Sequence, residues 1–74
     1  MIRVMLKEAL LERSFKDGKS TTMKDVAYGT GIHPVTLSKI AKNNGYNASL
    51  ETIDKLCDYF NCEVSDLLVY VKRD

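Results

Sequence analysis

The sequence predicts an all-α domain: four short helices and a final single helical turn, with a small antiparallel pair of strands made from its two ends. Three observations carry this. Apolar residues recur at helical spacing in four separate stretches. Most of these stretches begin at a capping residue or end at a glycine or asparagine stop. Two short β-compatible runs, near Ile2 to Val4 and at Val69-Tyr70-Val71, lie at opposite ends of the chain and have only each other as obvious partners.

Taken in order, the first helix is read over about Val4 to Arg13, where Leu6, Ala9 and Leu10 share one side, and Phe15 is expected to anchor its end in the core. Lys16 to Thr21 then reads as a polar loop with an Asp17-Gly18 turn signal. Thr22 is an N-cap with Asp25 three residues on, close to a capping box. The second helix runs to about Thr30 and stops at Gly31, where a positive φ is expected. Pro34 opens the third helix at its favoured first position, and that helix runs to about Asn43. Asn43-Asn44-Gly45 ends it. Ser49 caps a fourth helix whose stripe is Leu50, Ile53, Leu56, Cys57 and Phe60. Asn61 is its left-handed stop. Val64 or Ser65 starts the last turn, with Leu67 and Leu68.

Seventy-four residues make one domain, 1–74. At that length a hydrophobic core contributes on the order of 3–5 kcal/mol net, so dimerisation is a natural supplement. No apolar stretch reaches the roughly 20 residues that span a bilayer. Charges interrupt the first residues, so they do not read as a signal peptide. A cytoplasmic protein that makes no membrane contact is the expectation. Cys57 and Cys62 lack metal-ligand spacing and read as a small core residue and a residue near a turn. No metal or cofactor is expected. Nor is an enzyme: one histidine, no nucleophile–base constellation and no phosphate-cradling glycine loop leave little for catalysis.

Charge is uneven along the chain. Residues 1–44 carry eight Lys/Arg against four Asp/Glu, net +4, and residues 45–74 carry three against six, net −3. A basic front half suits a protein that turns one end toward a polyanion.

The informative stretch is about 22–43. Met23, Val26, Ala27 and Thr30 share a face of the second helix. Ala27 is small where two helices would cross, and Gly31 turns the chain sharply four residues later. Ile32 follows as a buried hinge residue. In the third helix Leu37, Ile40 and Ala41 fall on one side, and Val35, Ser38, Lys39 and Lys42 opposite, with Thr36 and Asn43 at the flank. A small residue, a turn glycine and apolar positions on either side are the spacing of a helix-turn-helix unit.

These residues resemble the phage-repressor and Cro-like (xenobiotic-response-element type) helix-turn-helix regulators. The likeness is carried by Thr22, Val26-Ala27, Thr30-Gly31-Ile32, Pro34 and Thr36-Leu37-Ser38-Lys39-Ile40. It continues through Ser49-Leu50-Glu51-Thr52, then Ile53, Leu56, Phe60, Val64 and Asp66-Leu67-Leu68. It implies a compact five-helix, lambda-repressor-like DNA-binding domain, of bacterial or phage origin, that binds an operator, usually as a dimer. The chain departs from that pattern in three places. Met23 replaces a glutamine that reaches a phosphate. The loop from Ser14 to Thr21 is longer, and its Lys16 and Lys19 either meet phosphates or only keep it soluble. His33 replaces a serine or threonine before the proline; it caps poorly, and either lies against the DNA backbone or has no role.

The expected function is that of a sequence-specific regulator of transcription, a repressor, with the third helix in the major groove. Pro34, Val35, Thr36, Ser38 and Lys39 are the expected base readers, Val35 on thymine methyls and Lys39 on guanine. Thr22, Lys24, His33, Lys42, Asn43 and Asn44 are the expected phosphate contacts, the helix dipole assisting Thr22 and Lys24. Lys24 and Lys42 also fit the role of solvated surface charges. The expected partners are a palindromic double-stranded operator and a second copy of the chain, with no small-molecule ligand. Tyr59, Tyr70 and Val69–Val71 are the exposed candidates for the dimer surface, and Tyr46 fits either that surface or the DNA backbone. A second reading has the same fold acting on a protein partner, as an antitoxin or anti-repressor would, through the acidic face of Glu51, Asp54 and Asp58.

Overall fold

The computed structural model describes residues 1–42 and 47–72. Its elements run β1 (Ile2–Val4), α1 (Leu6–Asp17), α2 (Met23–Thr30), α3 (Pro34–Lys42), α4 (Leu50–Phe60), α5 (Val64–Leu67) and β2 (Leu68–Tyr70). The expected fold class is the observed one: helices around a single core, with β1 and β2 antiparallel in the register Ile2↔Tyr70, Arg3↔Val69, Val4↔Leu68.

The core is assembled from one to three residues of each helix. Leu6, Val26, Leu37, Ile40, Leu56 and Leu67 are fully buried, and Val4, Ile32, Ala41 and Ile53 lie around them. The sheet and α5 are tied to α1 at the point where β1 ends: the Met5 N–H donates to the Leu67 carbonyl at 2.7 Å.

The helix boundaries follow local chemistry. Thr22 and Asp25 form a complete capping box at the start of α2. Gly31 stops α2 with φ 77°, its N–H donating to the Ala27 carbonyl. Ser49 caps α4 by accepting from the Thr52 N–H, and Asn61 ends it with φ 51°.

Three expectations are corrected. First, α1 begins later and extends further, to Asp17, so the first two residues of the expected loop, Lys16 and Asp17, belong to the helix's last turn and the Asp17-Gly18 signal is its stop (Gly18 φ 69°). The Arg13–Asp17 ion pair at 3.0 Å, one turn apart, supports this last turn. The remainder of the loop is tied back, because the Ser14 hydroxyl donates to the Leu10 carbonyl and accepts from the Thr21 N–H. Second, Phe15 is 89% exposed and anchors nothing. At about 100° per residue it stands opposite Leu6 around the helix. Third, Leu50 is 87% exposed. Helix side chains lean toward the N-terminus, so at the first position of α4 this one leans past the end of the helix.

Candidate nucleic-acid interface

The helix-turn-helix unit is built from α2, the turn at Gly31 and α3. Val26 of α2 and Leu37, Ile40 and Ala41 of α3 are buried, with Ala27 and Met23 half-buried beside them. The turn is held by one side chain. The Thr30 hydroxyl donates to the Val26 carbonyl at 2.7 Å and accepts from the Ile32 N–H at 3.1 Å. It thereby serves a helix carbonyl and the first N–H beyond the glycine, and fixes the angle at which the chain leaves α2.

With its back in the core, α3 presents Pro34, Val35, Ser38, Lys39 and Lys42 to solvent, with Thr36 half-buried at the flank. All five expected base-reading residues therefore sit on one short helix, and the four with the fullest exposure share its outer side or its N-terminus. The helical period in the sequence had separated the two faces correctly.

His33 is not a poor cap here. Its Nδ1 accepts from the Val35 N–H at 3.1 Å, and its carbonyl accepts from the Leu37 N–H at 3.1 Å. The ring nitrogen does what a serine oxygen does at this position. Nδ1 must then be the unprotonated nitrogen, which leaves the proton on Nε2. The residue is exposed, and an Nε2–H is a donor suited to a phosphate oxygen.

Thr22 is differently committed. Its hydroxyl donates to the Asp25 carboxylate at 3.1 Å and accepts from the Asp25 N–H at 3.2 Å, while its own N–H donates to the same carboxylate at 2.9 Å. The hydroxyl proton is therefore engaged within the box. Asp25 is held more acidic than usual, first by the Thr22 N–H and next by the Thr22 hydroxyl, against an opposing contribution from burial, with Lys19 lowering it further. At the N-terminus of α2 the exposed cation is Lys24. Lys16 and Lys19 are exposed on the last turn of α1 and just after it. Asn43, Asn44 and Tyr46 lie outside the described residues.

One residue that matters to this surface escaped the sequence reading, and a second was given another role. Gly29 lies inside α2, and a Cβ there would overlap the ring of Tyr59. Tyr59 is thus no free dimer contact: it is half-buried, packs edge-on against Phe60 at 5.1 Å, and carries the Arg13 guanidinium 4.9 Å from its ring centroid. Arg13 also donates to the Tyr59 carbonyl at 2.6 Å. Together they lock α1 and α4 onto the back of α2. A glycine in mid-helix was the available signal, since it costs about 1 kcal/mol against alanine and calls for a packing reason. Tyr28, one residue earlier, is 95% exposed.

Among the described residues no group of His, Cys, Asp and Glu could hold a metal ion, and no helix is long and apolar enough to cross a membrane. A hollow of about 190 Å³ lies between α1 and the α4–α5 corner, lined by Glu8, Glu12, Arg13, Lys16, Cys62 and Asp66 among others. None of its lining residues belongs to α2 or α3. Residues 2–73 match the family model described as the Cro/C1-type HTH DNA-binding domain. No curated protein matches the chain.

Proposed function

Because the chain belongs to the Cro/C1-type helix-turn-helix DNA-binding domain family, and so to DNA-binding regulators of transcription, we propose that it is a repressor that reads a palindromic operator. In this reading α3 enters the major groove with its N-terminus leading. Pro34 and Val35 meet base edges, with Val35 on thymine methyls; Thr36 and Ser38 exchange hydrogen bonds with bases or phosphates; Lys39 addresses guanine O6 and N7. Lys24, Lys42, Asn43 and Asn44 meet phosphates, together with Nε2–H of His33 and the α2 N-terminus at Thr22.

The observation that carries this reading is the division of α3. Leu37, Ile40 and Ala41 are consumed by the core, while Val35, Ser38, Lys39 and Lys42 are all exposed on the other side. A helix gripped by its back alone can enter a groove without disturbing the fold.

Two copies are proposed to meet through the sheet, which would set two α3 helices about 34 Å apart on one face of the duplex. Ile2 and Tyr70, directly paired across the strands, are both largely exposed, with Val69 and Val71 beside them. That is more apolar surface than such a short sheet needs for itself.

Selection of bound sequences from random DNA, followed by gel-shift titration at two salt concentrations, tests the proposal. A palindrome bound with a steep salt dependence is the expected result. No binding even at low salt would return the fold to a protein partner, with the exposed Glu51, Asp54 and Asp58 face of α4 as the surface to map.

A further inference from the structure

The C-terminal end of α4 closes as a Schellman turn. Asn61 takes the left-handed conformation (φ 51°), its N–H donates to the Asp58 carbonyl at 3.3 Å, and the Cys62 N–H donates to the Cys57 carbonyl at 3.0 Å. Such a turn folds the second residue beyond the helix back over the last full turn, where a side-chain contact commonly completes it. Here both members of that contact are cysteines. Both are free and half-buried, both pack against the core, and the backbone closure of the turn brings the two residues together. The proposed DNA-reading surface uses neither.

We propose that Cys57 and Cys62 are a redox modification site: a dithiol that closes to an intramolecular disulfide by exchange with a low-molecular-weight disulfide such as oxidised glutathione. Cys62, which lines the hollow beside α1, is the thiol open to the reagent. Its thiolate attacks one glutathione sulfur, the glutathione S–S bond breaks, and one glutathione leaves as a thiolate. The Cys57 thiolate then attacks Cys62 in the mixed disulfide, and the second glutathione leaves. Two cysteine thiols lose two protons and two electrons; one glutathione disulfide becomes two thiols. The ring closed is small, so the bond is a local staple on the turn that follows Tyr59 and Phe60, and no scaffold of the fold depends on it.

Burial holds the Cys62 thiol above its ordinary range first, then Cys57, with Asp66 of α5 and Glu12 of α1 contributing. Glu8, Arg13 and Lys16 line the same hollow. Exchange is therefore slow at neutral pH and accelerates as pH rises, because the thiolate is the attacking species.

The test is to incubate the full chain with oxidised glutathione, block remaining thiols with an alkylating reagent and measure intact mass. Wild type should lose both free thiols, gain neither alkyl group nor glutathione, and remain a single chain. Cys57→Ser and Cys62→Ser should each end with the one remaining thiol either alkylated or glutathionylated. The oxidised wild type should melt no lower than the reduced form. A persistent glutathione adduct on wild type, a disulfide formed only between chains, closure only in denaturant, or a lowered melting temperature would overturn the proposal.

Discussion

The ring of Tyr59 occupies the space in which a Cβ on Gly29 would stand. Helix α2 is therefore seated on α4 at a position that tolerates only a bare backbone. Gly29→Ala gains about 1 kcal/mol of helix propensity but overpacks the contact, which typically costs about 1–3 kcal/mol. Chemical denaturation of Gly29→Ala should show a net loss of stability. In a Tyr59→Leu background the same change should be neutral or favourable. An identical effect in both backgrounds would mean that the two residues are not coupled.

The turn between α2 and α3 rests on the Thr30 hydroxyl, which serves both the Val26 carbonyl and the Ile32 N–H. Thr30→Val preserves shape and removes both bonds. It should cost about 1–3 kcal/mol, the usual consequence of leaving a buried donor unsatisfied. Amide exchange at Ile32 should quicken in the variant; unchanged protection there would show that something else holds that N–H.

Asp25 gives the stability a definite pH dependence. Its carboxyl titrates below the ordinary 3.8 in the folded chain because the Thr22 N–H and hydroxyl favour the charged form. Stability from such a group is complete above the unfolded value and is lost as pH falls through the folded one. Melting temperature should therefore decline as pH drops below about 4. Asp25→Asn should show a shallower decline over the same interval. Parallel profiles for the two proteins would remove the capping box as the cause.

Lys39 and Lys42 lie one turn apart on the exposed side of α3 but have different proposed tasks. Lys39→Ala should cost about 1–3 kcal/mol on the selected operator and relax preference at one base pair. Lys42→Ala should weaken operator and random DNA alike and reduce the salt slope by about one. Equal losses on both DNAs for Lys39→Ala would reassign it to the phosphates.

How far the fold could be read from the sequence depends on the range of the chemistry involved. The box at Thr22 and Asp25, the glycine at position 31, the serine cap of α4 and the stop at Asn61 all act within one helical turn, and each stands where its residues place it. The same holds for the two sides of α3, because burial there follows the helical period. Phe15 and Leu50 went wrong because an apolar side chain does not say which way its helix is turned, or that it lies at the helix's end. Gly29 was missed, and Tyr59 was assigned to the dimer surface, for a further reason: they meet through tertiary packing, and a pair thirty residues apart leaves no periodic mark. His33 was misjudged because a ring nitrogen is a less common cap than an oxygen, although its geometry serves.

The pairing of Ile2 with Tyr70 has a kinetic side. It joins nearly the first residue to nearly the last, so almost the whole chain must be looped before one ladder bond forms. The contacts of α2 with α3 are separated by only a turn. Folding should therefore run from the middle outward, with the helix pair in the nucleus and the strands closing last. Mutational φ-values should be high at Val26 and Leu37 and near zero at Val4 and Leu68; the reverse order would mean that the ends meet first. On this order, the part of the chain that faces DNA takes shape before the part proposed to recruit a second copy, and dimer assembly waits on the slowest contact in the monomer.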